Sequence, residues 1–161
     1  MVKGTPSLVL MLLYLSMCTL GFAQSEEVSD SVPGQVLREF KAISFWKQYR
    51  IDYRVNPFYL RADFDGDSKP DFAVLCVRIS DKTPFIAMVL SKPQKTIFVA
   101  LDPKKQMDGW EVFSKSVITR PQFDGAKPPP RLMGDAVVLR FSITLLLYWD
   151  GREFGTYVLS D

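Results

Sequence analysis

A nine-residue stretch, Asp63 to Asp71, constrains this chain most strongly because it gathers four aspartates. Two unit charges about 4 Å apart repel each other by about 4 kcal/mol at an effective dielectric of ~20. A fold that brings these carboxylates together must therefore offset the repulsion with a cation or splay the side chains into water. The apolar runs on either side, Phe58 to Ala62 and Phe72 to Ile79, predict a hairpin with the acidic loop at its tip.

The spacing of the acids provides an oxygen-only donor set of the kind that Ca²⁺ prefers. Counted from the first aspartate, positions 1, 3, 5 and 9 are carboxylates and position 7 offers a backbone carbonyl. The predicted ligands are Asp63, Asp65, Asp67, Asp71 and the carbonyl oxygen of Lys69. An EF-hand is excluded because Val74 stands at position 12, where that loop requires Glu. A plain Asp-Gly hairpin turn with solvated acids is the alternative to a cation site.

From Arg61 to about Cys76, the chain resembles the calcium loop of FG-GAP or VCBS-type repeats, as found in integrin α-subunit propellers. The shared pattern is Asp-x-Asp/Asn-Gly-Asp-Gly-x-x-Asp, and the resemblance implies a Ca²⁺ loop between two strands. Ser68 departs from the pattern, because the family usually has Gly there. A left-handed Ser is disfavoured, which predicts weaker binding. The motif occurs once, so length and copy number exclude a multi-blade propeller.

Residues 1–23 have the features of a secretory signal peptide. Lys3 supplies the positive charge, and Leu8 to Leu20 is an uncharged apolar core that is too short to span a bilayer comfortably. Gly21-Phe22-Ala23 provides small residues before the expected cleavage at Gln24. We therefore expect an exported chain, periplasmic or secreted, without a transmembrane segment after cleavage.

Two further expectations follow from this assignment. Residues 24–33 are polar and predict a flexible lead-in, which leaves residues 34–161 as one domain. A lipoprotein anchored through Cys18 is the less favoured alternative, because the bulky Met17 stands where a small residue is expected.

Composition excludes several functional classes. The chain contains no histidine, which excludes Ser-His-Asp and Cys-His catalysis as well as His-based metal sites. Signal cleavage would leave Cys76 as the single cysteine, so no intramolecular disulfide is expected. The formal net charge of +2 provides no electrostatic footprint for nucleic acid or an anionic membrane.

The predicted fold class is α+β, with a mostly antiparallel sheet of about six to eight strands arranged as a meander of hairpins. Apolar residues at spacings of three and four predict one amphipathic helix from Gly34 to Tyr49, packed on the sheet. The side chains of its apolar face are Val36, Phe40, Ile43, Trp46 and Tyr49.

The remaining strands are predicted from apolar runs separated by turn residues. They are Phe85–Leu90, Thr96–Leu101, Trp110–Phe113, Ala136–Phe141, Thr144–Trp149 and Phe154–Leu159, with Val117–Thr119 as an optional short strand. Asp150-Gly151 predicts a tight hairpin between the last two. The Pro-rich segment from Arg120 to Gly134 predicts a long irregular loop.

Two functional hypotheses remain open. The first is a non-enzymatic extracytoplasmic domain with a structural Ca²⁺ loop that binds a protein or glycan partner in adhesion or envelope organisation. The second is a hydrolase of envelope polysaccharide, with a carboxylate pair as acid and base and the Arg120–Gly134 loop as a lid. Concentration of the acids in one loop favours the first hypothesis, because mutual repulsion suits metal binding better than acid catalysis.

Overall fold

The computed structural model describes residues 31–118 and 127–160. Two compact units are distinguished, Met1–Leu37 and Arg38–Asp161, and every strand belongs to the second. The predicted signal peptide lies outside the described residues, as does most of the predicted lead-in. Among the helices of the described residues, none is long and apolar enough to cross a membrane.

Nine strands form two antiparallel sheets within the described residues, which confirms the predicted α+β class. The strands are β1 (Tyr49–Ile51), β2 (Tyr59–Ala62), β3 (Asp71–Arg78), β4 (Pro84–Ser91), β5 (Gln94–Ala100), β6 (Gly109–Phe113), β7 (Ala136–Arg140), β8 (Thr144–Trp149) and β9 (Phe154–Ser160). The first five form one sheet and the last four the other, with β3-β4-β5 and β6-β7-β8-β9 as meanders. The optional strand at Val117 does not form in the described part of that segment.

Strand β3 organises the five-stranded sheet. Its first half pairs with β2 and its second half with β1, so that two short strands share one edge of β3. Ala62 pairs with Asp71, which confirms the predicted hairpin around the acidic loop. Residues 71–76 are all buried, because the β3–β4 region is covered on both faces. This double burial explains why the sequence reads as an apolar run rather than an alternation.

The main core lies between the two sheets. One face of β3 and β4 supplies Ala73, Leu75, Ile86 and Met88, and the facing sheet supplies Trp110, Val137, Leu139 and Leu147. A second cluster covers the other face of the four-stranded sheet, where Ile118 and Leu132 pack with Ala136, Val138, Leu146 and Tyr157. The connection between β6 and β7 is therefore a packed cover in its described parts.

The helix is shorter than the sequence predicts. Helix α1 spans Gly34–Ala42, and a 3₁₀ turn at Phe45–Lys47 precedes β1. Ser44 has a left-handed backbone (φ 54°), which ends the helical path. Phe45 then stacks on the ring of Phe40, with centroids 3.8 Å apart.

This stacking changes which side chains form the apolar face. The predicted face was wrong at Ile43 and Trp46, which are 45% and 39% exposed, while Phe45 is buried. Glu39 of α1 accepts a hydrogen bond from Gln94 of β5, and Phe45 contacts Phe85 of β4. Helix and sheet are joined through these contacts.

The predicted tight turn at Asp150-Gly151 is confirmed. The Asp150 carboxylate accepts hydrogen bonds from the backbone N–H groups of Arg152 and Glu153, which closes the predicted turn between β8 and β9. Cys76 is a free thiol that is buried within β3. Burial raises the pKa of the Cys76 thiol, so the reactive thiolate form is disfavoured.

Candidate metal centre

The acidic loop occupies residues 63–70, between β2 and β3, and is anchored in the core rather than projecting freely. Phe64 is fully buried and belongs to the cluster between the sheets. Its burial holds Asp63 and Asp65 on either side of it at the edge of the core. The chain alternates here between a core side chain and carboxylates that face away from it.

The Asp63 carboxylate accepts hydrogen bonds from two backbone N–H groups of the loop. One of its carboxylate oxygens accepts the Gly66 N–H at 2.8 Å, and the other accepts the Ser68 N–H at 2.9 Å. Asp65 and Asp67 repeat this behaviour on a smaller scale, since each accepts an N–H from the residue two positions later. Such bonds from a short acidic side chain to a nearby N–H define a tight turn.

Asp71, the first residue of β3, is fully buried. Its Oδ2 accepts the N–H of Phe64 at 3.0 Å, and its Oδ1 accepts both the N–H and the hydroxyl of Ser91, at 2.8 and 3.1 Å. Asp71 thereby joins the acidic loop to the end of β4. These three hydrogen bonds satisfy most of the acceptor capacity of the buried carboxylate.

Three of the predicted ligands converge. Carboxylate oxygens of Asp63, Asp65 and Asp71 all lie within 4.8 Å of one another. Asp67 lies outside this group, and its Oδ2 is buried without a hydrogen-bond partner among residues 31–118 and 127–160. Lys69 donates its N–H to Asp67 at 2.8 Å. The predicted use of the Lys69 carbonyl as a ligand stays a prediction.

Burial shifts the pKa values of two of these acids. Burial raises the pKa of Asp65, and the neighbouring charge of Asp71 raises it further. Burial also raises the pKa of Asp71, although its N–H and hydroxyl donors oppose this effect. Ionisation of both groups is therefore less favourable than that of an isolated aspartate in water, and a nearby positive charge would oppose this shift. A bound divalent cation would supply that charge.

A second segment, residues 133–135, completes the site, and the sequence alone did not reveal it. The Asp135 N–H donates to the Asp63 carbonyl at 2.7 Å, while the Asp135 carboxylate accepts the N–H groups of Asp63 and Lys115. Gly66 and Gly134 lie where the two backbones touch. Gly134-Asp135 directly before β7 is the only sequence signal for this contact, and its partner is about 70 positions earlier.

Ser68 has the backbone conformation that is expected from the sequence to be unfavourable for a serine. Ser68 has φ 67°, a left-handed conformation that glycine adopts without the steric cost of a Cβ. Its N–H also bonds to Asp63, so the conformation is tied to the loop's internal hydrogen bonding.

We expect Ser68→Gly to raise the free energy of unfolding by about 0.5–1 kcal/mol. The gain is the difference between relieving ~1–2 kcal/mol of left-handed strain and the higher entropy of an unfolded glycine. Urea denaturation of the two proteins measures this change. Ser80→Gly is the matched control, because Ser80 is exposed and has no left-handed backbone. Equal effects from both substitutions would contradict the interpretation.

Compared with protein-family models, curated proteins and solved structures, the chain matches none. The loop's own geometry and chemistry therefore carry the functional argument.

Proposed function

We propose that residues 63–71 form a structural Ca²⁺ site in a non-enzymatic, exported β-rich domain that binds a protein or glycan partner. The observation that carries the proposal is the convergence of three carboxylate oxygens, from Asp63, Asp65 and Asp71, within 4.8 Å of one another. The similarity of this segment to FG-GAP or VCBS-type calcium loops points to the same ligand.

The donor chemistry favours Ca²⁺ over softer metals. Every candidate ligand is an oxygen, from Asp63, Asp65, Asp67, Asp71 or the Lys69 carbonyl, and the chain has no histidine. Hard cations prefer such donors, whereas zinc prefers Cys and His. The buried Asp67 oxygen without a partner is a further acceptor that a cation would satisfy.

A stabilising role follows from what the loop connects. Phe64 packs in the core between the sheets, Asp71 bonds to the end of β4, and the Asp63 backbone bonds to Asp135 just before β7. A cation that draws the carboxylates together would therefore tighten the junction of both sheets. Within the described residues, the domain has no disulfide that could do the same.

Excess Ca²⁺ is expected to raise the melting temperature by roughly 10 °C. A ligand at about 100 times its dissociation constant stabilises a protein by ~2.7 kcal/mol, and this increment corresponds to a shift of that order for a domain of this size. Circular dichroism melts in Ca²⁺ and in chelator measure the shift. Because exported modules bind Ca²⁺ with dissociation constants of about 10⁻⁴–10⁻³ M, concentrations of about 10–100 mM are required to reach this ratio.

Two variants make this experiment specific. Asp65→Asn should abolish the Ca²⁺-dependent shift, since it removes a charge from the converging group. Asp108→Asn is the matched control, because Asp108 is exposed and lies in the β5–β6 connection. An unchanged midpoint in the parent protein, or a shift that survives in Asp65→Asn, would contradict the proposal.

The hydrolase alternative requires a pair of carboxylates beside a cavity, and the described wall of the cavity at the β5–β6 connection does not provide one. A cavity of about 480 Å³ at the β5–β6 connection has one carboxylate in its wall, that of Asp52. Hydrogen bonds from the Arg54 guanidinium lower the pKa of Asp52, so this group is held in its ionised form. A general acid at neutral pH requires the opposite shift. Glycan hydrolysis therefore stays a prediction from sequence.

A further inference from the structure

The cavity beside Asp52 lies at the opposite end of the β3–β4 pair from the acidic loop. Asp71 and Ser91 mark the loop end of these strands, whereas Leu75, Cys76 and Pro84 contribute to the cavity. Its volume of about 480 Å³ is within the range of small-molecule sites.

The cavity has an apolar floor. Val55, Leu101, Met107 and Phe141 line it, and all four also pack against the cluster between the sheets. They are partly buried, so this part of the core is accessible to solvent. Transfer of a hydrocarbon group from water onto such a surface is favourable in proportion to the area removed from water.

The rim of the cavity is cationic. Lys82, Lys104 and Lys105 stand in its wall, and none of them has an ion-pair partner among the described residues. The wall also holds Arg54 and Asp52, which neutralise each other through a bridge of 2.6 Å. Three lysines without an ion-pair partner among the described residues therefore line the same cavity as the apolar floor.

We infer that this cavity binds a single-chain anionic amphiphile, with the hydrocarbon chain on the apolar floor and the anionic head group among the three lysines. The apolar floor would remove the hydrocarbon chain from water, and the lysines would pair with the anionic head group. A small inorganic anion would leave the apolar floor in water, and an uncharged alcohol would leave the lysines without a counter-charge.

Isothermal titration calorimetry of the full chain with alkyl carboxylates tests the inference. Decanoate should bind saturably, and affinity should fall as methylenes are removed from the chain end that lies on the apolar floor, by up to about fourfold for each one that is fully buried. Decanol and decyltrimethylammonium should bind at least tenfold more weakly than decanoate. Inorganic phosphate should show no saturable binding in the same range.

A pair of double variants assigns binding to the cavity. Lys104→Gln/Lys105→Gln should weaken decanoate binding about tenfold at low salt, since each exposed charge contributes a few-fold. Lys41→Gln/Lys95→Gln removes the same charge from exposed positions on α1 and β5 and should leave affinity unchanged. Met107→Trp should abolish binding by filling the cavity. Melting curves of all variants verify that each one folds.

Several results would overturn the inference. They are equal binding of decanol and decanoate, equal losses in the two double variants, or sedimentation with anionic phospholipid vesicles without binding of monomeric decanoate. The inference is independent of the proposed Ca²⁺ site. Asp65→Asn should leave decanoate binding intact, so failure of one proposal is distinguishable from failure of the other.

Discussion

Replacement of Asp71 by alanine is expected to destabilise the folded protein by about 3–4 kcal/mol, measured in chelator. The carboxylate is fully buried and accepts hydrogen bonds from the Phe64 N–H, the Ser91 N–H and the Ser91 hydroxyl. Its removal leaves the buried Phe64 N–H and the two partly buried Ser91 donors without this acceptor, and each buried group left unsatisfied costs about 1–3 kcal/mol. Chelator excludes any contribution from a lost cation.

Two related variants separate the causes. Ser91→Ala removes one donor and leaves the N–H bond to Asp71, so we expect a loss of only about 1 kcal/mol. Asp71→Asn retains one acceptor oxygen and should fall between the other two. If Asp71→Ala were no worse than Ser91→Ala in urea denaturation, Asp71 would not be the link between the acidic loop and β4.

Gly134→Ala is expected to destabilise the protein by about 3 kcal/mol. A Cβ at this position would stand 2.6 Å from the Gly66 nitrogen and 2.9 Å from the Phe64 carbonyl carbon, with the Asp63 carbonyl oxygen closer still. All of these are backbone atoms, which cannot turn aside as a flexible side chain can. Insertion of atoms into a closely packed site costs about 1–3 kcal/mol, and immobile neighbours place this case at the upper end.

Gly109→Ala is the matched control for this substitution. Gly109 begins β6, and a Cβ there would meet nothing within 4 Å. We therefore expect a change within about 0.5 kcal/mol for Gly109→Ala in the same denaturation experiment. Similar losses from both alanine substitutions would show that the close approach of Gly134 to the acidic loop does not limit stability.

These two substitutions affect the same junction from opposite sides. Asp71 ties the acidic loop to the five-stranded sheet, and Gly134 allows the segment before β7 to reach that loop. Reduced Ca²⁺ affinity is therefore also expected from Gly134→Ala, because displacement of the Asp63 backbone would move its carboxylate. Ca²⁺ titration of the melting temperature detects this second effect.

Hydrophobic periodicity predicted the buried side chains of α1 correctly only in the first part of the predicted helix. Val36 and Phe40 follow the predicted apolar face, and both are buried. The pattern continues to Tyr49 in the sequence, but the left-handed Ser44 allows Phe45 to stack on Phe40 instead. A rule based on helical spacing cannot anticipate this exchange, because it assumes a helical backbone and Ser44 departs from one.

Local pattern determined most of the fold and the composition of the candidate site. Apolar runs and turn residues predicted β2 to β9 with boundaries that differ by one or two residues from the structure, because strand formation follows local alternation and turn chemistry. The five candidate ligands, Asp63, Asp65, Asp67, Lys69 and Asp71, were predicted likewise from spacing within nine residues.

Only the tertiary structure decided how the site is supported. It divides the strands into two sheets and places Phe64 in the core between them. It also brings Ser91 and Asp135 to the loop from positions 20 and 72 residues away from their partners. Contacts at such separations leave no periodic trace in a single sequence, because they depend on how whole sheets pack and not on neighbouring residues.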